Sequence, residues 1–148
     1  MFSMILRRME WMEEKGIRQW NVAEYDEIYP LSYYEEERQK GELFVLADRD
    51  TNEIVCGAVL KEEDERWEDR APSIYVHNFV SKTAPRPVGR IFLIFAEKYA
   101  AERGKRYLRL DSARDNQALA SYYEKIGFAP AGSCVEGGYH GILRQKEL

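Results

Sequence analysis

The stretch 73-SIYVHNFVSKTAPRPVGRIFLIFAEKYAAERGKRYLRLDSARDNQALASYYEKIGF-128 decides the fold. Its apolar periodicity predicts a strand over residues 73–80, a long helix over 89–103 and another strand over 107–111. A further helix runs from a cap at Asp115 to residue 126, where a glycine ends it. Strands that alternate with helices form crossover connections, which predicts parallel pairing in this part of the sheet.

The segments on either side of this stretch complete a mixed pattern. Upstream, we predict a first helix, an aromatic-rich loop over residues 20–30 and a second helix over 31–40. A hairpin of two strands, 43–47 and 54–60, follows them. Downstream, two strands flank a turn at Gly137. The order α-α-β-β-β-α-β-α-β-β predicts an α/β fold with a sheet that is antiparallel first and partly parallel later.

Two segments carry expectations about burial. Residues 91–96 are apolar on every face of the predicted long helix, so we expect that half of the helix to be buried on most sides. Residues 61–70 are rich in acidic side chains, and we expect a solvated loop there. A lesser option is that these acids attract a cationic amine.

Length, composition and charge narrow the classes of function. The chain has 148 residues, of which 45% are hydrophobic and 32% charged, which suits one domain over residues 1–148. A net charge of −4 without a long basic run argues against binding to nucleic acid. The apolar opening segment is too short for a secretory or membrane segment. Cys56 and Cys134 lie far apart and predict free thiols in a reducing cytoplasm.

The sequence offers no conventional metal or triad chemistry. Two histidines, His77 and His140, are too few and too far apart to suggest a zinc site, so we expect no metal. The segment between the strand that ends near Val80 and the helix that opens at Gly89 is more informative. Backbone N–H groups at such a helix start form a site for phosphate, and Arg86 can add charge. A single glycine at a strand-to-helix turn is a weak signal by itself.

The helix near the end of the stretch carries a more specific pattern. Asn116 opens it, Tyr123 follows seven residues later, and Gly127-Phe128 closes it. This spacing resembles the GNAT (GCN5-related N-acetyltransferase) superfamily, and the resemblance is strongest over residues 74–128. It implies a GNAT-like fold, a central mixed sheet flanked by helices. The superfamily normally begins with a strand, whereas this chain begins in a helix, so the first strand is expected to be missing.

The phosphate loop departs from the superfamily's pattern of Arg or Gln, two residues, Gly, one residue, then Gly or Ala. If Gly89 takes the last position, the expected Arg or Gln falls on Ala84 and the first Gly on Pro87. If Arg86 takes the first position, Ile91 replaces the last Gly. We prefer the first alignment. Prolines in the loop remove N–H donors, which predicts weaker binding of pyrophosphate.

The resemblance implies acetyl-CoA as the acyl donor and direct transfer to an amine. The pyrophosphate would meet the backbone N–H groups of Val88, Gly89 and Arg90, with charge from Arg86 and Lys82. No metal is required.

The resemblance also implies roles at the reacting atoms. A backbone N–H of Phe79 or Val80 would polarise the thioester carbonyl, and Asn116 would hydrogen-bond the pantetheine arm. Tyr123 would protonate the leaving thiolate as a general acid. Its neighbour Tyr122 is expected to be plain core.

The acceptor side is less determined. His77 is a candidate base, although a hydrogen-bonded strand histidine is the simpler interpretation, and Asp111 is the second candidate. The superfamily's acceptor pocket borders the first two helices, where one or two aromatic side chains would line it, with Trp20 and Tyr29 as our choices.

Three hypotheses follow. The first is an N-acetyltransferase that acts on a primary amine of a small molecule or a protein. The second is a non-catalytic acyl-CoA-binding regulatory domain, motivated by the altered loop. The third is an unrelated α/β interaction domain without a cofactor. A homodimer remains open, and the sequence does not disclose the acceptor.

Overall fold

The central feature is one mixed sheet of six strands. The computed structural model describes residues 1–22, 24–83 and 86–148. The strands are β1 (Leu43–Ala47), β2 (Ile54–Lys61), β3 (Ser73–Ser81), β4 (Tyr107–Ala113), β5 (Ala129–Glu136) and β6 (Tyr139–Glu147). Their order across the sheet is β1-β2-β3-β4-β6-β5, and only β3 and β4 pair in parallel. The predicted α/β class with a partly parallel sheet is confirmed.

Helices flank this sheet. They are α1 (Phe2–Lys15), α2 (Tyr25–Ile28), α3 (Leu31–Gln39), α4 (Val88–Glu102) and α5 (Gln117–Lys125), with a 3-10 helix at Trp20–Val22. The order of the longer elements is as predicted. The aromatic stretch expected to be a loop instead contains the 3-10 helix and α2. Aromatic rings stack within it, and the ring centres of Trp20 and Tyr25 lie 4.6 Å apart. None of the described helices is long and apolar enough to cross a membrane.

The core lies between the sheet and one face of α4 and α5. Phe92, Leu93 and Ala96 of α4 are almost fully buried against it. The prediction that residues 91–96 are buried on most sides is wrong. Ile91, Ile94 and Phe95 remain exposed because α4 rests on the sheet along a single stripe, and no other described element covers its outer face.

The expected absence of the superfamily's first strand bears on the edge of the sheet. Within the described residues no strand precedes α1, and β1 is the outermost strand on its side. Val45 on that strand is correspondingly exposed.

The sheet opens between β3 and β4. The two strands pair only from Ser73 with Tyr107 to Tyr75 with Arg109, although both continue further. On the other side of β3 the register against β2 shifts opposite Asn78, which has a left-handed φ of 56°. A bulge of this kind bends a strand and re-aims its side chains. The bulge and the divergence together leave a gap in the middle of the sheet.

The loop between β2 and β3 is fixed to the sheet by a buried arginine. Arg109 on β4 is 1% exposed, and its guanidinium binds both carboxylate oxygens of Asp69 at 2.7 and 2.9 Å. It also donates to Tyr75 Oη and Gln145 Oε1 and lies 4.2 Å from the ring of Trp67. The prediction that residues 61–70 form only a solvated loop is therefore wrong.

We expect Arg109→Ala to lower the free energy of unfolding by about 2–4 kcal/mol, because it leaves a void beside Trp67 and Tyr75 and removes the hydrogen bonds that hold Asp69 and Gln145. Arg38→Ala is the matched control, since the Arg38–Glu35 pair is exposed on both sides and its loss should cost less than about 0.5 kcal/mol. Urea denaturation of both variants measures the difference. Equal midpoints for the two would contradict the anchoring role.

Candidate active site

A cavity of about 510 Å³ occupies the gap between β3 and β4. It runs from the start of α4, past α5, to the aromatic segment between α1 and α3. All of the residues that the sequence singled out for a site line it: Trp20, Tyr29, His77, Phe79, Val80, Arg86, Val88, Gly89, Arg90, Asp111, Asn116 and Tyr123. The fold brings these side chains together, and their individual roles stay predictions.

One end of the cavity is basic and borders the start of α4. Gly89 lies in the first turn of the helix, where a Cβ would sit 3.5 Å from the Phe79 ring and so in ordinary contact. Arg8 reaches this end from α1 and donates to the carbonyl of Ser81, and Lys82 follows on the same strand end. Nothing local in the sequence indicates that Arg8 lies here, because α1 is far away in the chain.

Part of this basic charge is already paired. Arg90 Nη1 lies 3.1 Å from Glu97 Oε1, two turns further along α4, and Lys146 of β6 contacts the same oxygen at 2.8 Å. Arg86 is exposed at the mouth of the cavity. Of the predicted phosphate loop, Ala84 and its neighbouring proline lie outside the described residues.

The start of α5 borders the middle of the cavity. Asn116, not Asp115, caps this helix, because Asn116 Oδ1 accepts from the backbone N–H of Leu119 at 3.1 Å. Asp115 points into solvent beside Arg114. The prediction of an Asp115 cap is therefore wrong by one residue.

Tyr123 places its ring in the core and borders the cavity. It is 5% exposed and packs edge-on against Phe128 with ring centres 5.6 Å apart. Burial raises the pKa of the Tyr123 phenol above its usual value, so the hydroxyl stays protonated near neutral pH. No hydrogen bond joins this hydroxyl to the described residues. Tyr122, expected to be plain core, is half-buried and lines the cavity as well.

Two tyrosines hold the bulge of β3 in place. Asn78 Nδ2 donates to Tyr25 Oη, and Tyr33 Oη donates to Asn78 Oδ1 at 3.0 Å. The side chain of Asn78 is thus satisfied on both its donor and its acceptor side, which stabilises its left-handed backbone. The aromatic segment is consequently bonded to the strand that borders the gap.

The opposite end of the cavity is a charged wall, formed by Arg66, His77, Asp111 and Tyr139 together with Asp64, which pairs with Arg66 but does not itself border the cavity. The Arg66 guanidinium lies 2.8 Å from Asp64 Oδ2 and 3.0 Å from Asp111 Oδ1. Tyr139 Oη donates to the other oxygen of Asp111. Burial alone would raise the pKa of Asp64, but hydrogen bonds from Arg66 outweigh it and lower that pKa. These groups form one connected network.

His77 joins this network through both ring nitrogens. Its Nδ1 lies 3.5 Å from Arg66 Nη2, and its Nε2 lies 3.4 Å from Asp64 Oδ2. Burial and then the Arg66 charge lower the pKa of His77 below its usual value, so the imidazole is neutral near pH 7. A guanidinium can only donate, so Nδ1 faces it as an acceptor.

Several lining residues lay outside the sequence prediction, among them Gln19, Arg66, Glu136 and Tyr139. One signal was available for Arg66, which is a basic residue within an acidic run. For the others the sequence showed nothing, because only the hairpin of β5 and β6 and the turn after α1 bring them to the cavity. In the part of the chain that is described, no group of acidic, cysteine or histidine side chains could hold a metal.

The chain resembles known acetyltransferases along most of its length. Residues 6–128 match the profile of the acetyltransferase (GNAT) family. The chain is 29% identical over 154 residues to the uncharacterized N-acetyltransferase YesJ of Bacillus subtilis (strain 168). The alignment covers 99% of this chain and 82% of that protein.

Solved structures agree on the fold. A GNAT-family acetyltransferase from Listeria monocytogenes 4b F2365 matches with a TM-score of 0.77 at 22% identity, covering 99% of this chain and 86% of that one. A PaiA N-acetyltransferase from Thermoplasma acidophilum, solved with coenzyme A, matches with a TM-score of 0.72 at 18% identity, covering 99% and 92%.

The state of His77 leads to a prediction about stability and pH. Because its pKa is lower in the folded chain, the unfolded chain binds a proton more tightly, and stability falls as the pH drops through about 6.5. We expect His77→Asn to lose less stability than the parent chain between pH 7.5 and pH 5.5, as measured by urea denaturation. His140→Asn, a change at an exposed histidine, should keep the parent slope. Parallel profiles for parent and His77→Asn would contradict the prediction.

Proposed function

This chain belongs to the acetyltransferase (GNAT) family, and from that membership we propose that it transfers an acetyl group from acetyl-CoA directly to an amine. The observation that carries the proposal is the single cavity that joins a basic helix start, the Tyr123 phenol and an aromatic, acidic far end. A long donor and a short acceptor can meet in such a cavity without a covalent enzyme intermediate.

The basic end fits the diphosphate of acetyl-CoA. At the start of α4 the Val88 N–H already donates to the Arg86 carbonyl at 2.9 Å, so the N–H groups of Gly89 and Arg90 are the ones left for the pyrophosphate. Arg8 and Arg86 supply positive charge around them, and Lys82 adds to it although its ammonium also contacts Glu53. Asn116 would bond the pantetheine arm on its way along the gap between β3 and β4.

The reaction needs one bond formed and one broken. The amine nitrogen attacks the thioester carbonyl, whose oxygen would be held by a backbone N–H of Phe79 or Val80 beside the gap. The carbon–sulfur bond then breaks, and the thiolate takes the proton of the Tyr123 hydroxyl. The amine gives up one proton, which returns to Tyr123 through solvent.

Two side chains on the charged wall can accept the amine proton. Both groups are already engaged, His77 at its two ring nitrogens and Asp111 at its two oxygens, and the neutral state of the imidazole favours His77. The pH profiles of His77→Asn and Asp111→Asn distinguish them, because only replacement of the residue that acts as base abolishes the fall of kcat at low pH.

A regulatory domain that binds acyl-CoA without turnover is not favoured, since the cavity continues past Tyr123 to an acceptor side. We further propose that residues 1–148 form one domain, which one shared sheet supports. A cytoplasmic location fits Cys56 and Cys134, which form no disulfide. A homodimer stays open to measurement.

We expect Tyr123→Phe to lower kcat by about 100-fold while the melting temperature still rises with acetyl-CoA, because only the proton donor is lost. Release of free thiol during turnover with a panel of amines measures the rate. Tyr99→Phe, in a ring that packs on Phe44 away from the cavity, is the matched control. Undiminished turnover in Tyr123→Phe would overturn the acid role.

We expect Gly89→Ala to raise the KM for acetyl-CoA about tenfold, close to 1.4 kcal/mol, because a methyl group would hold the diphosphate away from the backbone. In the free protein that methyl group has room, and alanine suits a helix better than glycine. The melting temperature without ligand should therefore not fall. An unchanged KM would place the diphosphate elsewhere.

A further inference from the structure

Gln19 is a buried polar side chain that faces the cavity. The residue is 8% exposed and lines the cavity between α1 and the 3-10 helix. Its backbone is fixed, since its N–H donates to Asn21 Oδ1 at 3.0 Å and its carbonyl accepts from Val22 N–H at 3.4 Å. No hydrogen bond joins its side-chain amide to the described residues. The amide therefore borders the cavity with its donor and acceptor atoms available to a ligand.

The charge near Gln19 is negative. The hairpin turn after Glu136 packs on this segment, because a Cβ at Gly138 would lie 3.3 Å from the Val22 carbonyl. Glu136 lines the cavity, and no ion pair joins it to a described residue. Glu136 and Tyr29 line the same cavity, and burial and then the Glu136 charge raise the pKa of the Tyr29 phenol.

Arg66, the cation at this end of the cavity, is already paired with carboxylates. Arg66 Nε and Nη2 bind Asp64, and Nη1 binds Asp111, so the guanidinium faces two carboxylates. With Glu136 the wall holds three carboxylates against one guanidinium, a net charge of −2 while His77 is neutral. A carboxylate on the acceptor would find no spare cation there.

The reacting amine cannot balance this charge. It must be neutral when it attacks, so a simple monoamine would leave the wall uncompensated. A second amino group that stays protonated would bind the carboxylate of Glu136 and the carbonyl of the Gln19 amide. The rings of Trp20 and Tyr29 provide faces for the same cation.

We propose that the acceptor is a small amine with a second, protonated amino group, bound by Glu136 and Gln19. This proposal rests on the proposed function and names its substrate class. The contact between the hairpin turn and the 3-10 helix leaves less room for a polypeptide than an open groove would, which favours a small molecule.

The test compares three acceptors of equal chain length: 1,4-diaminobutane, butylamine and 4-aminobutanoate. We expect kcat/KM for the diamine to exceed that for butylamine by at least about tenfold and that for the amino acid by more. A diamine used no better than butylamine would overturn the proposal, as would preference for the amino acid.

Variants locate the preference. Glu136→Gln and Gln19→Leu should each lower the ratio of diamine to monoamine kcat/KM severalfold, whereas Gln19→Glu, which keeps an acceptor oxygen, should preserve it. Glu102→Gln, on the exposed face of α4, is the control and should leave the ratio unchanged. An unchanged ratio in both Glu136→Gln and Gln19→Leu would overturn the assignment.

A binding measurement separates the two levels of inference. With coenzyme A present, 1,4-diaminobutane should raise the melting temperature of the parent chain more than butylamine, and Glu136→Gln should reduce that difference. Absence of acetyl transfer to every amine, with this selective shift intact, would refute the proposed function but support the acceptor class. Acetyl transfer that shows no selectivity among the amines would support the proposed function but refute the acceptor class.

Discussion

The separation of β3 from β4 after three paired positions is the constraint on which the rest of the structure depends. From Ser73 to Tyr75, β3 is paired with β4, and beyond that point the two strands diverge. If β3 and β4 stayed paired along their whole length, backbone hydrogen bonds would close the centre of the sheet and no cavity would remain there. The left-handed Asn78 directs the end of β3 away from β4, and α4 then begins at the far end of the same gap. The proposed diphosphate site and the proposed reaction centre therefore lie along one opening.

The two sides of the gap are kept apart by different interactions. On one side, Tyr25 and Tyr33 hold Asn78 with side-chain hydrogen bonds. On the other side, Arg109 fixes the loop that carries Arg66, whose guanidinium then aligns the carboxylates of the charged wall. Each arrangement costs burial of polar groups, and each is satisfied by direct partners rather than by solvent. The walls are consequently rigid where a substrate must be positioned.

Much of this arrangement could be predicted from the sequence, and the exceptions share a cause. Hydrophobic periodicity and glycines located the long elements, and the pattern of Asn116, Tyr123 and Gly127 indicated the family. The exposed stripe of Ile91, Ile94 and Phe95 could not be foreseen, because periodicity shows how apolar a helix is but not what covers it. Likewise, the acidic loop looked solvated because its partner Arg109 comes some forty residues later. Contacts between distant segments carry no local signal.

The bond between Tyr25 and Asn78 has a consequence for how this scaffold can diversify. Tyr25 belongs to the aromatic segment that borders the acceptor, yet its hydroxyl also shapes the strand that would polarise the thioester. Its replacement would alter both selectivity and chemistry, so drift at this position is constrained. Trp20 and Ile28 border the same space without such a bond to β3. Descendants of this chain can therefore acquire new acceptors by varying those neighbours while the tyrosine is retained.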